Sequence, residues 1–452
     1  MAKKKNTGTS AAGVPEGHAQ SGFWARLTED AWANIIAAIL IAGVLVWVMA
    51  LHGGKPVSPV YAWTNAEALF GKVLNPGNLA IVVASGVVFA LLSAVAVQLS
   101  GGNLLKYLAG FALVFLLAIF SLIVAGNSGV EAYGLEYVVF ALLAGLLLNN
   151  LFKLPDWLKT AARSEFFIKT GLIILGTSIL FPNIVQAGFP GIIQALAVVS
   201  VVWFFSLWLS RRLKVDDEFG VILASAVSIC GVSAAIVASG AIQGDKKKLS
   251  YVTTLVLLLA IPMMILQPWA IQAFGIPEIV GGAWLGGTLD TTATVVAATE
   301  QVGPAASKVG AIVKLSQNVL LGFAAFFIAT WWIFRKKPEA GAETEKPNLK
   351  LIWERFPKFV LGFILVSLIF SFLIPADVVK QASGFLNSLR TLWFALAFVA
   401  IGLEARFSDL LKTQGGRPAL VFIGAQLFNI AWTLLWSYLL FGGILLAAPD
   451  VK

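Results

Sequence analysis

An aspartate, Asp290, lies in the middle of one of the chain's long apolar segments, in the stretch GGTLDTTATVVAA (286–298). A charge at the centre of a membrane span costs at least about 2.5–3.5 kcal/mol, so such residues usually mark functional sites. Asp290 therefore predicts ion coupling, in which its carboxylate binds sodium, carries a proton or pairs with a cation. The structural alternative is a buried salt bridge or a hydrogen-bonded cap on a half-helix.

Glycine and hydroxyl residues around Asp290 predict that the helix is interrupted there. A second stretch, SAVSICGVSAAIVASG (225–240), has the same character. Glycine is a poor helix former, and irregular backbone at membrane depth persists only where it is buried in protein or lines a cavity. The end of a broken helix presents free N–H groups and a positive dipole, which favour an anion. Close helix packing is the alternative, because Gly282-x-x-x-Gly286 is itself a packing motif.

Lys314 is a candidate partner for Asp290. It opens the sequence KLSQN (314–318), early in a segment that is otherwise apolar through Phe334. Its ammonium is expected to pair with Asp290 or to hold an anionic substrate, unless it extends to the membrane interface. The predicted substrate-binding residues are Ser228, Gly231, Ser233, Gly287, Thr288, Thr291, Thr292, Lys314 and Asn318. The predicted ion-coupling residues are Asp290, Thr294 and Glu404, with Asp290 as the metal ligand if the ion is sodium.

Glu404 is a second-rank candidate. Glu404 and Arg406 are two residues apart, so they do not share a helix face, and an ion pair at the end of a helix is the first interpretation. Glu404 stays a candidate because of an internal similarity, in which GLIILGTSILFPN (171–183) aligns with AFVAIGLEARFSD (397–409) and Ser178 aligns with Glu404. The two segments are predicted to run in opposite directions. This similarity favours inverted repeats, which are common in transporters.

The composition places the chain in a membrane. The 452 residues are 59% hydrophobic and 12% charged, whereas soluble domains average about 25% charged residues. Apolar runs of about 20 residues, long enough to cross a bilayer, recur along almost the whole length. The predicted fold is an all-α polytopic membrane protein with about 11–13 transmembrane segments, inverted repeats and two discontinuous or re-entrant helices.

The basic residues are distributed as topology signals. The net charge of +9 comes from short loops between apolar runs, and no basic face interleaved with aromatics indicates nucleic-acid binding. Lysines and arginines favour the cytoplasmic side, which predicts a multi-pass membrane protein with the N-terminus in the cytoplasm and the C-terminus on the opposite side, which is the periplasm in a bacterial inner membrane. The predicted regions are a disordered tail (1–32), additional transmembrane segments (33–130), a first core part (131–334), a cytoplasmic loop (335–357) and a second core part (358–446).

The lysines of GDKKK (244–248) leave two topologies open. If segment 219–242 crosses once, these lysines lie outside, against the usual charge bias. If it enters and returns as a hairpin, they lie inside, and segment 279–299 must then be a second hairpin that enters from the other side. The charge bias favours the hairpins.

Several kinds of site are not expected. One cysteine, Cys230, excludes an internal disulfide framework, and both histidines lie outside the main apolar block, so a histidine-built metal site is not predicted. No cofactor is expected other than a sodium ion at Asp290. The expected partners are a small inorganic or organic anion and the lipid bilayer, with the first 78 residues offering a surface for a homodimer and no role for nucleic acid.

Four motifs in order resemble a known family. They are SICG-x-SAA-x-xA, GGT-x-x-x-T-x-x-VVAA, KL-x-x-x-x-LL and G-x-x-x-x-F-x-x-L…GGRP, which ends at Pro418. Together they resemble the YeiH-type family of bacterial inner-membrane proteins called sulfate exporters, over roughly residues 135–440. The resemblance implies a polytopic carrier distantly related to the bile-acid/sodium symporters. The chain differs in having Asp290-Thr291 where the family usually has His-Glu, and Gln317 where it often has a basic residue.

These observations predict a secondary active transporter of a small anion such as sulfate, a sulfonate or a carboxylate, coupled to sodium or protons, and the resemblance to the exporter family suggests export as its direction. An ATP-driven pump is not expected, because the chain has no G-x-x-x-x-G-K-[ST] phosphate loop. An anion channel is the alternative. An intramembrane enzyme is less favoured, because the chain has no G-x-S-x-G elbow, and an aspartyl enzyme needs two carboxylates in one site whereas only Asp290 lies in the middle of an apolar segment.

Overall fold

A computed structural model describes residues 27–50, 56–131, 137–179, 181–242, 244–335, 353, 356–404 and 416–451. Most of the tail predicted to be disordered, nearly all of the predicted loop 335–357, and Arg406 lie outside the described residues.

The described part of the chain is helical, with a single isolated backbone bridge between Trp63 and Asn127 and no strand. The principal helices before the first break are α1 (Glu29–Ala50), α2 (Pro76–Leu99), α3 (Leu104–Ala125), α4 (Tyr137–Leu151), α5 (Ser164–Leu175), α6 (Phe181–Arg212) and α7 (Asp217–Ser225). The remainder are α8 (Val232–Ala241), α9 (Lys246–Ala273), α10 (Glu278–Thr288), α11 (Thr292–Glu300), α12 (Pro304–Arg335), α13 (Lys358–Phe372), α14 (Ala376–Glu404) and α15 (Arg417–Phe441).

Within these residues, 8 helices are long and apolar enough to cross a membrane. They are α1, α2, α3, α6, α9, α12, α14 and α15, and shorter apolar helices include α4 and α13. The prediction of an all-α polytopic membrane protein is confirmed.

One helix begins well before the apolar segment that predicts it. The sequence predicts a segment over 391–411, but α14 begins at Ala376. Its first half is amphipathic, with Ala382, Leu386 and Leu389 buried at helical spacing and polar residues between them. A search for continuous apolar runs misses such a half-helix, because its apolar residues face the protein on one side only.

The segment 217–241 is a hairpin that returns to the face it entered from. Helix α7 ends in a wide turn at Ala226–Cys230, and α8 then runs back. At the base, the Glu218 carboxylate accepts a hydrogen bond from the Asp245 N–H, and Lys248 Nζ lies 2.7 Å from Asp216 Oδ1 and 2.9 Å from Glu218 Oε2. Because residues that precede α7 contact residues that follow α8, this segment does not cross.

The segment 278–300 is a second hairpin. Helix α10 ends at Thr288, and α11 begins at Thr292. Glu278, the first residue of α10, accepts hydrogen bonds from the backbone N–H of Ala305 at 2.6 Å and of Ala306 at 3.2 Å, both just beyond α11. The topology with two re-entrant hairpins, one of the two that the sequence leaves open, is the one found.

The two hairpins enter from opposite ends of the bundle. Helix α9 has 28 residues, which span about 42 Å at 1.5 Å per residue. It links the end of the first hairpin to the start of the second, so their bases lie at opposite ends of a membrane-length helix.

The ends of several other helices meet at one face. Lys169 on α5 lies 3.0 Å from Asp30 at the start of α1, and Asn34 Nδ2 donates to the Lys358 carbonyl at the start of α13. Helix α5 also begins beside the end of α14. These helix ends therefore share one face, which agrees with the topology predicted from the distribution of lysines and arginines. Which compartment this face meets stays a prediction.

The hairpin geometry predicts a specific cross-link. In a Cys230→Ser background, the pair Glu218→Cys and Asp245→Cys is expected to join through a short bifunctional thiol reagent, because the two residues are in hydrogen-bond contact. The control pair Asp245→Cys and Glu278→Cys places the thiols at the bases of opposite hairpins and is expected not to react. Peptide mapping by mass spectrometry would show the link, and its absence from the first pair would contradict the hairpin.

Candidate functional site

The tips of the two hairpins touch inside the bundle. Gly231 lies at the first tip with φ +60° and ψ −114°, a conformation that disfavours other residues. A Cβ on Gly231 would lie 3.1 Å from Asp290 Cβ and 2.8 Å from Val256 Cγ1. Two residues that the sequence singles out, in segments more than fifty positions apart, are therefore neighbours, and glycine is required where they meet.

Lys314 connects both tips. It is fully buried, and its Nζ donates to the Ile229 carbonyl at 2.8 Å, the Leu289 carbonyl at 2.8 Å and Gln317 Oε1 at 2.7 Å. It is the eleventh of the 32 residues of α12, about 15 Å from the start of the helix. Because its ammonium is held by three acceptors inside the protein, the alternative in which Lys314 extends to the membrane interface is not the arrangement found.

Side-chain amides satisfy the other carbonyls that the breaks release. Gln317 Nε2 donates to the Ser228 carbonyl at 2.9 Å and to the Gly287 carbonyl at 3.4 Å. Gln426 Nε2 on α15 donates to the Thr288 carbonyl at 2.9 Å, and Asn429 Nδ2 donates to the Val227 carbonyl at 3.2 Å. Backbone groups freed at membrane depth must be paired within the protein, and α12 and α15 supply these partners.

Gln426 and Asn429 are not among the site residues predicted from the sequence. A signal exists, because α15 carries a buried polar stripe of Gln426, Asn429, Thr433 and Ser437 at spacings of three and four. Polar residues in that pattern on an apolar helix indicate a face turned towards the protein interior. Gln194 on α6 belongs to the same surface, since its Nε2 donates to the Ala283 carbonyl and its Oε1 accepts from Ser437.

Asp290 is buried without a hydrogen-bond partner. Its side chain is 2% exposed, and neither carboxylate oxygen has a partner among the described residues. Lys314 directs its donors to carbonyl oxygens instead, so the close ion pair considered from the sequence is not formed. An ionised carboxylate in this position is costly, which makes Asp290 a group that binds a proton or a cation readily.

The threonines after Asp290 stabilise the second half-helix. Thr291 Oγ1 accepts from the Thr294 N–H at 3.1 Å, and Thr294 Oγ1 accepts from the Thr291 N–H at 3.3 Å. This reciprocal pair caps the N-terminus of α11. Thr288 donates to the Trp284 carbonyl within its own helix. Thr291 and Thr294 therefore have structural partners, and their predicted ligand contacts stay a prediction.

The other predicted binding residues differ in burial and in whether their polar atoms have partners. Ser228 is buried at the first break, and Asn318 donates to Thr292 Oγ1 at 3.0 Å. Among the described residues, neither the Ser228 hydroxyl nor Asn318 Oδ1 has a hydrogen-bond partner. Ser233 is instead exposed in the first turn of α8. Gly287 packs closely, since a Cβ there would lie 2.5 Å from Gln194 Nε2.

Two predicted features lie apart from the tips. Glu404 accepts hydrogen bonds from the Ser164 N–H at 3.1 Å and the Ser164 hydroxyl at 2.6 Å, so it caps the start of α5, and its coupling role stays a prediction. Gly282 and Gly286 pack α10 against α12, where added Cβ atoms would lie 2.6 Å from the Ala306 carbonyl oxygen and 2.7 Å from that of Gly310. Helix packing and site formation thus coexist in one hairpin.

The combined arrangement is a buried polar crossing in an apolar bundle. Two half-helix ends, one ammonium group, one unpartnered carboxylate and three side-chain amides meet where hairpins from opposite faces touch. Discontinuous helices that meet near the bilayer midplane commonly form substrate and ion sites in secondary transporters.

Comparisons with known proteins show which family the chain belongs to. The model of the family described as Conserved hypothetical protein 698 matches residues 109–422. The UPF0324 membrane protein of Rhodopirellula baltica is 40% identical over 364 residues, which cover 78% of this chain and 66% of that protein. A UPF0324 membrane protein of Nitratidesulfovibrio vulgaris is 35% identical over 384 residues, covering 81% of this chain and 65% of the relative.

The chain thus spans slightly less than two thirds of the length of these two relatives. The UPF0324 membrane protein of Nitrosomonas europaea is 27% identical over 471 residues, which cover 90% of this chain and 95% of that protein. No solved structure matches the chain. The extent of the family match and these relatives show that the chain belongs to the Conserved hypothetical protein 698 family of multi-pass membrane proteins.

Proposed function

We propose that the protein is a secondary active transporter of a small anion, in line with its resemblance to the family called sulfate exporters. The observation that carries this proposal is the contact between two hairpin tips at Lys314 and Asp290, about a third of the way along the spanning helix α12. A buried ammonium and a buried carboxylate are costly in an apolar bundle, and such residues usually mark binding or coupling sites.

The first turn of α8 is the part of the site best suited to the anion. Gly231 precedes α8 and provides no side-chain cap, whereas the N-terminus of α11 is closed by Thr291 and Thr294. Ser233 in this turn is exposed and offers a hydroxyl donor. The ammonium of Lys314 binds the Ile229 carbonyl two residues before Gly231, so it adds positive charge beside this helix end. The N–H groups of this turn and the helix dipole favour an anion there.

Asp290 is the coupling group in this proposal, with either a proton or sodium as the ion. Occupation of its carboxylate removes a buried negative charge next to the anion site. The anion and the coupling ion thereby favour each other's binding, because each reduces the electrostatic cost of the other. An enzymatic activity is no part of the proposal.

Transport by the full chain in proteoliposomes tests the proposal. Sulfate, a sulfonate and a small carboxylate are expected to differ in uptake, and an imposed ion gradient is expected to drive at least one of them above its equilibrium level. Protein-free liposomes are the control. Passive flux that an ion gradient never drives uphill would indicate an anion channel, and no flux of any anion tested would contradict the proposal.

A substitution at the anion site provides a second test. Ser233→Asp places a carboxylate in the first turn of α8, where it is expected to reduce anion uptake at least about tenfold by repelling the substrate and competing with it for the positive end of the helix. Ile236→Asp, at another exposed position of the same helix, is the control for an added charge. Equal uptake by the two variants would contradict the assignment of the first turn of α8.

A further inference from the structure

Six of the carbonyl groups at the two helix breaks are already occupied by side-chain donors. In the first break, the carbonyls of Val227, Ser228 and Ile229 accept hydrogen bonds from Asn429, Gln317 and Lys314. In the second, the carbonyls of Gly287, Thr288 and Leu289 accept from Gln317, Gln426 and Lys314. Unwound backbone carbonyls of this kind are the groups that coordinate sodium in other carriers with discontinuous helices.

The surroundings of Lys314 Nζ resemble those of a bound cation. Its three neighbours, the Ile229 carbonyl, the Leu289 carbonyl and Gln317 Oε1, are all acceptors at 2.7–2.8 Å. Gln317 directs its Nε2 to the Ser228 carbonyl, which orients Oε1 towards Lys314. Three acceptors require three N–H donors, and a lysine side chain has three only as an ammonium ion. The hydrogen-bond pattern therefore gives Lys314 a positive charge.

We propose that the Lys314 ammonium permanently fills the cation position between the two hairpin tips, so that the protein operates without sodium. This inference rests on the proposed transport function and specifies its ion requirement. The lysine links the first break to the second as a sodium ion would, but it is tethered to α12 and does not dissociate. A second cation beside it would be repelled across a buried, weakly screened distance.

Asp290, Asn318, Ser228 and Gln426 also have oxygens near these segments that are buried without a partner among the described residues. A sodium site formed by them is the rival to the proposal. Sodium binding to such a site would stabilise the folded protein by mass action, so it is detectable without any transport assay.

Replacing sodium with choline in wild-type protein tests the inference. Anion uptake by proteoliposomes is expected to be the same in the two salts at equal ionic strength and pH, and so is the melting temperature of the detergent-solubilised full chain. Sodium-stimulated uptake, or a melting temperature that rises with sodium relative to choline, would overturn the inference. If no anion is transported in either salt, the proposed function fails while the melting comparison still decides the sodium question.

A variant that removes the tethered cation provides a gain-of-function test. In Lys314→Ala, the three acceptor oxygens lose their donor, and sodium is expected to raise the melting temperature of the variant although it leaves the wild type unchanged. Lys308→Ala, on the same helix and away from both tips, is the matched control and is expected to show no sodium response. Identical melting of Lys314→Ala in sodium and choline would contradict the assignment of these oxygens to a cation position. Should Lys314→Ala fail to fold, the wild-type comparison remains decisive.

Discussion

Replacement of Asp290 by asparagine is expected to abolish ion-driven anion uptake and to reduce it to the level of protein-free liposomes. Asparagine preserves the shape of the side chain, but it neither binds and releases a proton nor carries the negative charge that attracts a cation. Exchange of labelled for unlabelled anion without a gradient is expected to persist, because the first turn of α8 is unchanged.

The control for this prediction is Asp377→Asn, the same substitution at an exposed position near the start of α14. It is expected to transport as the wild type does. Unchanged gradient-driven uptake by Asp290→Asn would remove Asp290 from the coupling role. Loss of both uptake and exchange would instead indicate that the carboxylate holds the two hairpin tips together.

Gly402→Ala is expected to lower the free energy of unfolding by about 3 kcal/mol, at the upper end of the cost of overpacking. Gly402 on α14 faces Gly145 on α4, and a Cβ at Gly402 would lie 2.3 Å from the Leu142 carbonyl oxygen and 2.6 Å from the Leu146 nitrogen. Because these neighbours are backbone atoms, no side-chain rotation relieves the contact, and the two helices must separate. The melting temperature and the yield of folded protein in detergent would measure the effect.

Gly384→Ala is a matched control on the same helix. A Cβ there would meet only Ser58 Oγ at 3.8 Å, an ordinary contact, so alanine is expected to stabilise the helix by roughly 0.5–1 kcal/mol. Equal melting temperatures for Gly402→Ala and Gly384→Ala would show that α4 and α14 are not in backbone contact.

The sequence alone predicts the class of protein and much of the polar crossing. Uncharged apolar runs predict spanning helices because every backbone group in lipid must be paired within its own segment. Asp290, Lys314 and the glycine-rich breaks are recognisable from sequence because charged residues and glycines are unusual inside such runs. The lysines at 246–248 also favour the hairpins, since the distribution of basic residues reflects topology.

The tertiary structure determines how these residues are paired. Lys314 binds carbonyl oxygens of both hairpins rather than the Asp290 carboxylate, and Thr291 and Thr294 cap a half-helix. Gln426 and Asn429, far along the chain, satisfy the backbone at the breaks. Such pairings depend on which helices are neighbours and how they are rotated, and a periodic apolar sequence leaves both open. The chain therefore specifies by itself which groups are buried in the membrane, whereas the packing of α12 and α15 against the two hairpins decides which atoms each group binds.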